Sequence, residues 1–555
     1  MPVKNINTDD CIGCGTCVES CPMDVFRLDT SDKQLEVSPC SDGCPLGLNQ
    51  REYHYLIKMN QLDDAALALQ ARHPMPSITG RVCPHPCETA CTRSQVDEAI
   101  NINGLEEYLG DYVLNNGQVA VTASGDKVAV IGSGPAGLSA AYNLTLKGYQ
   151  VTVFEKEAKP GGLLQYSIPA FRLSNQIIEQ QIEFYKKMGI EFKTGVTVGK
   201  DISKSELESQ GFKAFIAATG AAKPMKLNVP GADASGINTA IQFLKDVRTG
   251  DAEAAPQRVA IIGGGSVALD AARTAIRLGA KEVHVICLER IEPGHKDNML
   301  ALTEEIQDAK DEGVVFHTQR SVSSFSVEDG KISGVSLVEC SSTRNEDMSF
   351  NPCLGSEIVE EFGLDGIILA IGQTADAEIV PQEVATTERG YIKANQNTLH
   401  VDANMFAAGD GVTGPTTVVV ALASGKKAAQ TVDRFLKDEG LEVTPALSRE
   451  IAKDVPKGNN LYIEQRQERV AVDVDIRVKN FEETIKSLTY QQAQREAERC
   501  LTCGSKSTIA FVDDCQVCRL CAHYCPADCI EITDGAYVSS LHNFDVVTLG
   551  TALNK

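Results

Sequence analysis

The chain has 555 residues and a formal net charge of −23 at pH 7, which argues against nucleic acids and anionic membranes as partners. No run of about 18 apolar residues occurs, so no segment is expected to span a bilayer. The N-terminus MPVKNINTDDC also lacks the apolar stretch of a signal peptide. Its 19 cysteines therefore predict metal ligation in a reducing, cytoplasmic compartment rather than disulfides. Fifteen of the cysteines lie in tight groups near the two ends. The four that stand apart are interpreted as structural or incidental: Cys287, Cys340, Cys353 and Cys529.

The first group of cysteines has the spacing of a bacterial ferredoxin. It reads Cys11-x2-Cys14-x2-Cys17-x3-Cys21-Pro22. Thiolates at this spacing can wrap a cubane cluster, so we predict a [4Fe–4S] site here. Zinc is the alternative, but zinc motifs usually come as separated pairs of cysteines.

A second group of cysteines follows between residues 40 and 91. Cys40-x3-Cys44-Pro45 comes before a helix predicted over Asn49–Arg72, and Cys83-x3-Cys87-x3-Cys91 comes after it, with Glu106 farther along. Five cysteines and one glutamate cannot complete two cubanes, which need eight ligands. The remaining ligands must come from another part of the chain.

Residues 127–155 predict a dinucleotide site. A short apolar strand, Val128–Ile131, meets Gly132-x-Gly134-x-x-Gly137, and a helix of small residues and a second strand follow. The glycines permit a sharp turn and close approach of a pyrophosphate, and the helix N-terminus offers its N–H groups to the phosphates. Glu155 lies where an acidic side chain can bind ribose hydroxyls.

A second fingerprint lies farther along the chain. Arg258–Ala268 reads RVAIIGGGSVA, in which Gly263-x-Gly265-x-x-Ala268 follows an apolar strand. A helix over Leu269–Leu278 and a strand over Val283–Leu288 are predicted next. Two nested fingerprints indicate two bound dinucleotides, and a merely structural βαβ unit is the alternative for the second.

The C-terminal end carries two further cysteine motifs. Residues 440–480 are interpreted as a connecting arm, and a charged helix is predicted over Phe481–Arg499. It leads to Cys500-x2-Cys503 and then to a second ferredoxin run, Cys515-x2-Cys518-x2-Cys521-x3-Cys525-Pro526. With the N-terminal groups and Glu106 the chain has sixteen candidate ligands, enough for four [4Fe–4S] clusters. An incidental CxxC is the alternative for Cys500 and Cys503.

These cysteine motifs resemble parts of the glutamate synthase small subunit and of the N-terminal part of dihydropyrimidine dehydrogenase. REAERCLTCG (495–504) is similar to the start of their iron–sulfur domain, where it directly precedes a C-x3-CP segment, whereas here the two halves lie at opposite ends of the chain. The halves can pair within one chain or between subunits. The resemblance implies two ligand sets, Cys40, Cys91, Cys500 and Cys503 for one cluster and Cys44, Cys83, Cys87 and Glu106 for the other.

Residues 127–437 resemble the same small subunit. GGLLQYSIPAFRL (161–173) is similar to its flavin loop, which implies that Arg172 lies near the flavin, and AAGD (407–410) is similar to its closing flavin motif, which implies that Asp410 reaches the ribityl chain. Phe215–Gly220 and Asp365–Gln373 resemble the crossings between its flavin and nicotinamide domains. The FAD-binding candidates are Gly132, Gly134, Pro135, Ala136, Gly137, Glu155, Lys156, Gly162, Leu163, Arg172, Gly220, Gly372, Gly409, Asp410, Thr416 and Thr417.

The nicotinamide preference depends on the end of the strand predicted over Val283–Leu288. NADPH-using relatives of the small-subunit family carry Tyr-Arg-Arg there, whereas this chain has Glu289-Arg290. A carboxylate repels a 2′-phosphate and accepts hydrogen bonds from ribose hydroxyls, so NADH is favoured, and Arg290 keeps NADPH open. The candidates for this site are Gly263, Gly265, Ser266, Val267, Ala268, Glu289 and Arg290.

The two ferredoxin runs can also form one split ferredoxin, if Cys500 and Cys503 meet Cys40. In two-cluster ferredoxins the fourth cysteine of each run ligates the other cluster. One cluster would then be held by Cys11, Cys14, Cys17 and Cys525, and the other by Cys515, Cys518, Cys521 and Cys21.

The predicted fold class is α/β, with two nested Rossmann-like domains for FAD and NAD(P)H, a helical iron–sulfur domain and ferredoxin-like segments at both ends. The expected boundaries are 1–35 for the first ferredoxin-like segment, 36–120 for the helical domain, 127–225 and 362–440 for FAD, 226–361 for NAD(P), 441–499 for the arm and helix, and 500–555 for the C-terminal iron–sulfur segment.

Together these features predict an NAD(P)H oxidoreductase subunit in a hetero-oligomer. It exchanges a hydride with a nicotinamide at FAD and passes single electrons through the clusters to or from a partner subunit or ferredoxin. The cofactors supply this chemistry, so no catalytic acid or base is named. The alternatives are a glutamate synthase small subunit feeding an amidotransferase, a free-standing NAD(P)H:ferredoxin oxidoreductase and a non-catalytic electron-transfer scaffold. The added ferredoxin runs count against the first and the second fingerprint against the last. A disulfide reductase is disfavoured, since no CxxC lies in the nicotinamide region.

Overall fold

The computed structural model describes residues 3–6, 11, 17–18, 21, 25–29, 36–117, 121, 123–252, 254–376, 384–441, 450–452, 455, 463–509, 521 and 530–532. Its N-terminal part begins with short strands and continues as a helical region. The strands are β1 (Val3–Ile6), β2 (Phe26–Asp29) and β3 (Glu36–Val37). The helices are α1 (Pro39–Asp42), α2 (Gln50–Lys58), α3 (Leu62–Gln70), α4 (Pro76–Val82), α5 (Pro86–Thr89) and α6 (Ile102–Asn116), with a 3-10 turn at Thr92–Gln95.

The single helix predicted over Asn49–Arg72 is wrong in its middle, because the segment forms two helices, α2 and α3. Asn60, between them, has a φ of 58°. This left-handed conformation interrupts a helix, and asparagine tolerates it better than most residues. The interruption lets α2 and α3 pack against each other and bury Ile57 and Leu69.

The first fingerprint lies on a parallel sheet. Its first four strands are β4 (Lys127–Ile131), β5 (Gln150–Glu155), β6 (Glu191–Thr194) and β7 (Phe212–Ala217), and its helices are α7 (Pro135–Leu146), α8 (Leu163–Tyr166), α9 (Asn175–Lys187) and α10 (Lys204–Ser209). Strand β4 lies between β5 and β7 and runs parallel to both. Its residues 128–130 are completely buried, as is typical of a central strand covered on both faces.

The second fingerprint lies on another sheet, formed by the next part of the chain. The strands there are β8 (Lys223–Pro224), β9 (Ile237–Thr239), β10 (Arg258–Ile262), β11 (Glu282–Ile286), β12 (Val315–His317), β13 (Arg320–Glu328), β14 (Lys331–Arg344), β15 (Phe350–Gly363), β16 (Gly366–Leu369) and β17 (Gln373–Thr374), and the helices are α11 (Ala240–Thr249), α12 (Ser266–Arg277) and α13 (Thr303–Asp311). Five strands form a parallel sheet in the order β12-β11-β10-β16-β9, and β13, β14 and β15 form an antiparallel one. Helix α12 starts at Ser266, three residues before the predicted start, because Gly265 is its N-cap.

The chain then returns to the first sheet. Strand β18 (His400–Asp402) pairs with β19 (Met405–Ala407), and β19 runs parallel to β7, which gives the strand order β18-β19-β7-β4-β5-β6. Helices α14 (Asp410–Thr413) and α15 (Val418–Leu436) follow. A Cβ built on Gly425 of α15 would lie 2.0 Å from the Ala136 carbonyl oxygen, so α15 packs tightly against α7. The predicted fold class is confirmed: two nested α/β domains follow the helical region.

The segment after α15 is an arm across the other domains. It contains β20 (Glu450–Ile451), β21 (Val470–Ala471), α16 (Val474–Arg477), β22 (Ile485–Lys486) and α17 (Tyr490–Glu498). The charged helix predicted over Phe481–Arg499 is wrong in its first half. The ring of Phe481 packs 6.3 Å from that of Phe171, and Thr484 donates its N–H to the Phe171 carbonyl at 3.0 Å. The helix begins only after Thr489, which forms a capping box with Gln492.

The two ends of the chain meet in two antiparallel strand pairs. Strand β1 pairs with β24 (Ile530–Ile532), and β2 pairs with β23 (Lys506–Ile509). Buried apolar residues between them include Ile6, Phe26 and Ile530. The split-ferredoxin hypothesis requires this kind of pairing within one chain. Among the residues that the structure describes, no helix is both long and apolar enough to cross a bilayer.

Candidate functional site

A cavity of about 450 Å³ lies where β4, β5 and β7 end, next to the first turn of α15. This volume falls within the usual range for small-molecule and cofactor sites, about 300–1,000 Å³. Of the predicted FAD-binding residues, Gly137, Gly372 and Arg172 do not line the cavity. The others do: Gly132, Gly134, Pro135, Ala136, Glu155, Lys156, Gly162, Leu163, Gly220, Gly409, Asp410, Thr416 and Thr417.

The glycines of the first fingerprint have three different surroundings. Gly132 has a φ of 103°, and a Cβ on it would lie 2.4 Å from the Ala218 carbonyl oxygen. A Cβ on Gly137 would lie 2.0 Å from the Gly132 carbonyl oxygen, so this residue lets α7 pack against the turn. A Cβ on Gly134 would meet no atom within 4 Å. The protein itself therefore does not require a glycine at 134, and the open space there suits a phosphate that approaches the backbone.

Glu155 organises the fingerprint turn as well as facing the cavity. Its carboxylate accepts hydrogen bonds from the Ser133 N–H at 2.9 Å, from the Ser133 hydroxyl and from the Glu157 N–H at 2.9 Å. The Ser133 hydroxyl in turn accepts a hydrogen bond from the Gly161 N–H at 2.9 Å. Ser133 was not among the predicted site residues, because it occupies the variable position of the G-x-G pattern.

The far side of the cavity is formed by Asp410 and the N-terminus of α15. The Asp410 carboxylate accepts hydrogen bonds from the Thr416 hydroxyl at 2.7 Å and from the Thr416 N–H at 3.2 Å. Burial raises the pKa of Asp410, and the bonds from Thr416 oppose this. Asp410 is thus held at the cavity wall, where a carboxylate can accept hydrogen bonds from ligand hydroxyl groups.

The second fingerprint repeats the geometry of the first. Gly263 has a φ of 136°, and its Cβ would lie 2.3 Å from the Ala370 carbonyl oxygen, whereas a Cβ on Gly265 would meet no atom within 4 Å. A Cβ on Gly264 would lie 2.6 Å from Glu289 Oε2. The Glu289 carboxylate therefore lies against the tip of the turn, and burial raises its pKa. The Arg290 guanidinium lies 4.0 Å from the Glu292 carboxylate.

The helix that follows the second fingerprint turn also lines the flavin cavity. Val267 and Asp270 of α12 line the same cavity as the first fingerprint. Arg172 does not line it but joins the two domains, with Nη1 at 2.9 Å from Asp270 Oδ1 and Nη2 at 2.6 Å from Glu305 Oε1. Glu305 also accepts a hydrogen bond from the Ser266 hydroxyl at 2.6 Å. These contacts hold the N-terminus of α12 towards the cavity.

Four cysteines from opposite ends of the sequence line one small cavity. They are Cys40, Cys91, Cys500 and Cys503, the first ligand set that the family resemblance implies. Burial and, after it, the neighbouring Cys91 and Cys503 raise the pKa of the Cys40 thiol to about 12. A positively charged metal centre is therefore needed to hold these sulfurs as thiolates. This set comes together within one chain.

Polar groups surround the sulfurs of this set. The Thr92 hydroxyl oxygen lies 2.9 Å from Cys503 Sγ, and His54 Nδ1 lies 3.5 Å from Cys500 Sγ. Burial lowers the pKa of His54 to about 3, so the ring is neutral. Such groups can hydrogen-bond to cluster sulfurs, and these bonds help to set the potential of an iron–sulfur cluster. The sequence pattern offers no sign of this role of His54, because His54 lies on α2, outside the cysteine motifs, and contacts Cys500 only in the folded chain.

The second implied ligand set also comes together. Electrostatic contacts link Cys44, Cys83 and Cys87 with Glu106. Burial, as the main cause, and the nearby Glu106 carboxylate, as the second, raise the pKa of Cys83 to about 12. The buried Glu106 carboxylate accepts a hydrogen bond from the Thr79 hydroxyl at 2.5 Å and lies 3.2 Å from His73 Nε2.

Neither ligand set has the close spacing that a single metal ion requires. No three His, Cys, Asp or Glu side chains among the described residues are arranged to hold one metal ion. A cubane differs from a single ion, since each of its four ligands binds a different iron at a corner of the cluster. The donor chemistry, mostly thiolates with one carboxylate, fits iron–sulfur clusters.

The described cysteines of the two ferredoxin runs also lie together. Cys11, Cys17 and Cys521 are buried in one small apolar core, and Cys21 packs against it. The core thus joins cysteines of both runs within one chain. The other predicted ligands of these runs lie outside the described residues: Cys14, Cys515, Cys518 and Cys525.

A buried arginine holds the C-terminal cysteine pair on the N-terminal helical region. The Arg499 guanidinium lies 2.9 Å from Asp97 Oδ1 and 2.6 Å from Glu496 Oε1, and it donates to the Glu98 carbonyl at 2.7 Å. Its side chain is completely buried. The Arg499 carbonyl accepts a hydrogen bond from Arg93 at 3.1 Å. This network is the physical reason that Cys500 reaches the N-terminal cysteines.

Comparison with known proteins gives three family matches. Residues 126–425 match the family described as pyridine nucleotide-disulphide oxidoreductase. Residues 33–118 match dihydropyrimidine dehydrogenase domain II with a 4Fe-4S cluster, and residues 4–27 match a 4Fe-4S binding domain. Cofactors of the first domain are FAD and NAD(P), so the predicted cofactor classes are confirmed.

Curated relatives resemble the chain over most of its length. The β subunit of the NADP(+)-dependent formate dehydrogenase of Moorella thermoacetica is 32% identical, over 85% of this chain and 71% of that one. The small chain of glutamate synthase [NADPH] from Mycobacterium tuberculosis is 32% identical, over 72% and 85%. The PreT subunit of the NAD-dependent dihydropyrimidine dehydrogenase of Escherichia coli is 32% identical, over 72% and 91%. The chain therefore belongs to the pyridine nucleotide-disulphide oxidoreductase family, as an NAD(P)H-dependent flavin and iron–sulfur oxidoreductase subunit.

Proposed function

We propose that this chain distributes electrons between a nicotinamide and a partner of a larger redox enzyme, with FAD in the 450 Å³ cavity and four [4Fe–4S] clusters. The observation that most directly supports this proposal is the placement of two helices. Helix α12 lines one side of the cavity, and α15, on the other side, extends to the cysteine-rich helical region. We assign FAD to residues 127–225 and 362–440, and the nicotinamide to 226–361. The clusters belong to residues 1–120 and 500–555.

The protein's own residues bind and orient the cofactors in this proposal. The fingerprint turn with Gly134 receives the pyrophosphate, Glu155 holds that turn, and Asp410 faces the ribityl side. Arg172 and Glu305 keep α12 directed at the cavity, so that a nicotinamide bound at Gly265 can reach the flavin. When bound, FAD supplies the exchange between hydride transfer and single-electron transfer.

The proposed order of clusters follows from neighbouring residues. Lys426 of α15 donates to the Leu46 carbonyl at 3.1 Å, so the set with Cys44, Cys83, Cys87 and Glu106 is nearest to the flavin. Cys40 and Cys44 lie on adjacent turns of the chain around α1, which places the set with Cys500 next. Strand β23 begins three residues after Cys503 and pairs with β2 of the first ferredoxin-like segment. Electrons thus pass between the flavin and the joined chain ends.

The first prediction separates the two dinucleotide sites with matched variants. Gly134→Ala and Gly265→Ala each add one methyl group into open space, so both proteins should keep the stability of the wild type. A methyl group at a close contact costs about 1–3 kcal/mol, so Gly134→Ala should weaken FAD binding about 5- to 150-fold. Gly265→Ala should keep its FAD and weaken nicotinamide binding instead. Flavin absorbance and isothermal titration with NADH measure the two effects, and equal effects of both variants would contradict the assignment.

We propose that the nicotinamide site prefers NADH to NADPH, and the second prediction tests this preference. Glu289 lies against the turn at Gly264, where it repels a 2′-phosphate. Glu289→Arg replaces this repulsion by a charge-assisted hydrogen bond worth about 1.5–3 kcal/mol, so the kcat/KM ratio of NADPH to NADH should rise about 10- to 150-fold. Glu282→Arg, at an exposed glutamate at the opposite end of β11, is the control. An unchanged ratio in Glu289→Arg would refute the assignment.

The relatives support a partner subunit. The Moorella thermoacetica, Mycobacterium tuberculosis and Escherichia coli relatives are each named as a subunit or small chain. The match to the formate dehydrogenase subunit covers more of this chain than the match to the glutamate synthase small chain. This favours an electron-distributing subunit over the alternative of a glutamate synthase small subunit.

An anoxic native purification from the source cells tests the proposal. NADH is added to the purified material, and flavin bleaching and cluster reduction are followed by absorbance and electron paramagnetic resonance. A co-purifying catalytic subunit that draws electrons from NADH through the clusters supports the proposal. A solitary chain that reduces ferredoxin would support the free-standing reductase instead. A flavin that NADH does not bleach would support the non-catalytic electron-transfer scaffold.

A further inference from the structure

Helix α15 (Val418–Leu436) runs from the flavin cavity to the proposed cluster next to it. Val418 and Ala421 of its first turn line the cavity, and Lys426 lies five residues farther, about 7.5 Å along the helix axis. The helix cannot shift easily, because Gly425 allows direct contact with Ala136 of α7. The position of Lys426 is therefore fixed relative to the flavin site.

Lys426 places a positive charge beside the cluster loop. Its ammonium donates to the Leu46 carbonyl at 3.1 Å, two residues after Cys44. Burial and the neighbouring Arg72 lower the pKa of Lys426, whereas Cys44 raises it. Among the contacts of the described residues, Lys426 has this carbonyl and no carboxylate. A half-buried ammonium beside another cation is costly unless an anionic group lies near it.

A cluster held by Cys44, Cys83, Cys87 and Glu106 supplies such an anionic group. Three thiolates and one carboxylate outweigh the positive charge of the iron–sulfur core, and each electron that enters adds one more negative charge. A fixed ammonium nearby stabilises the reduced form more than the oxidised form.

We propose that Lys426 raises the reduction potential of the cluster nearest to the flavin and so favours electron transfer from the reduced flavin to that cluster. This inference rests on the proposed function. One electron leaves the flavin and enters the cluster, and no bond is formed or broken at Lys426. Lys426 is thus a positioning residue for the electron path rather than a catalytic residue.

The test is a potentiometric titration of the full-length holoprotein, followed by electron paramagnetic resonance. Lys426→Gln removes the charge, Lys426→Arg keeps it, and Lys427→Gln removes a charge from the next residue, which donates instead to the Gln396 carbonyl. In Lys426→Gln the equilibrium constant for reducing one cluster should fall about tenfold, which for one electron corresponds to about 59 mV. Lys426→Arg and Lys427→Gln should leave all midpoints close to those of the wild type.

Iron and flavin contents separate the possible outcomes. Normal contents with unchanged midpoints in Lys426→Gln would overturn the inference, as would the same shift in Lys427→Gln. If Lys426→Gln loses iron, Lys426→Met replaces it, and loss of iron from both variants would make Lys426 a structural support instead. A wild-type protein without a cluster at Cys44, Cys83, Cys87 and Glu106 would refute the proposed function itself.

Discussion

Replacing Arg499 by alanine is expected to strip iron from the protein and to release the segment that carries Cys500 and Cys503. The guanidinium is completely buried and pairs with Asp97 and Glu496. Removing one member of such a network leaves buried charges without a partner and costs about 3–5 kcal/mol. The segment should then detach from the helical region. With the four clusters proposed above, at least about a quarter of the iron should be lost, since one of them loses two ligands.

Iron analysis and hydrogen–deuterium exchange over residues 490–503 measure this effect. Arg495→Ala is the matched control, because Arg495 is exposed in the last turns of α17, the helix that Arg499 caps. It should keep the iron content and the exchange protection of the wild type. If Arg499→Ala retained both, the buried network would not be what joins the two ends of the sequence.

Replacing Cys500 by serine should break the electron path while leaving its entrance intact. Cys500 lines the cavity with Cys40, Cys91 and Cys503, whereas the flavin cavity contains none of these residues. NADH should therefore bleach the flavin at the wild-type rate. Loss of a group that only hydrogen-bonds to a metal ligand already lowers metal affinity or activity about 10- to 100-fold. Loss of a cluster ligand should therefore reduce the rate of electron transfer to an external ferredoxin at least about 100-fold.

Stopped-flow absorbance and anoxic ferredoxin reduction distinguish the two steps. Cys353→Ser is the control, because Cys353 is exposed on β15 and belongs to no proposed ligand set. It should change neither step. Full ferredoxin reduction by Cys500→Ser would show that electrons leave the flavin by a route that bypasses this cluster.

The parts of the site that could be predicted from sequence are those whose chemistry needs neighbouring residues. A fingerprint turn needs its glycines at fixed spacing because the turn, the phosphate and the helix share one short stretch of backbone. A ferredoxin run likewise needs its cysteines close together. Gly134, Gly265 and the paired cysteines are thus visible without a structure.

The parts that could not be predicted depend on contacts between distant segments. Ser133 matters through Glu155, and His54 through Cys500, which lies 446 residues away. Arg499 has its partner Asp97 at the opposite end of the chain. The segment around Phe481 has a charged composition that is typical of a helix, but it is extended because it packs on Phe171.

The junction of the two chain ends has a consequence for biosynthesis. Cys40 leaves the ribosome long before Cys500, and at about 5–20 residues per second the interval is roughly 20–90 s. Throughout that time the N-terminal cysteines lack their C-terminal partners, and β1 and β2 lack β24 and β23. With the proposed ligand set of Cys40, Cys91, Cys500 and Cys503, iron insertion has to wait until Cys503 has been synthesised. The proposed ligand set thus makes cofactor loading depend on synthesis of the segment with Cys500 and Cys503.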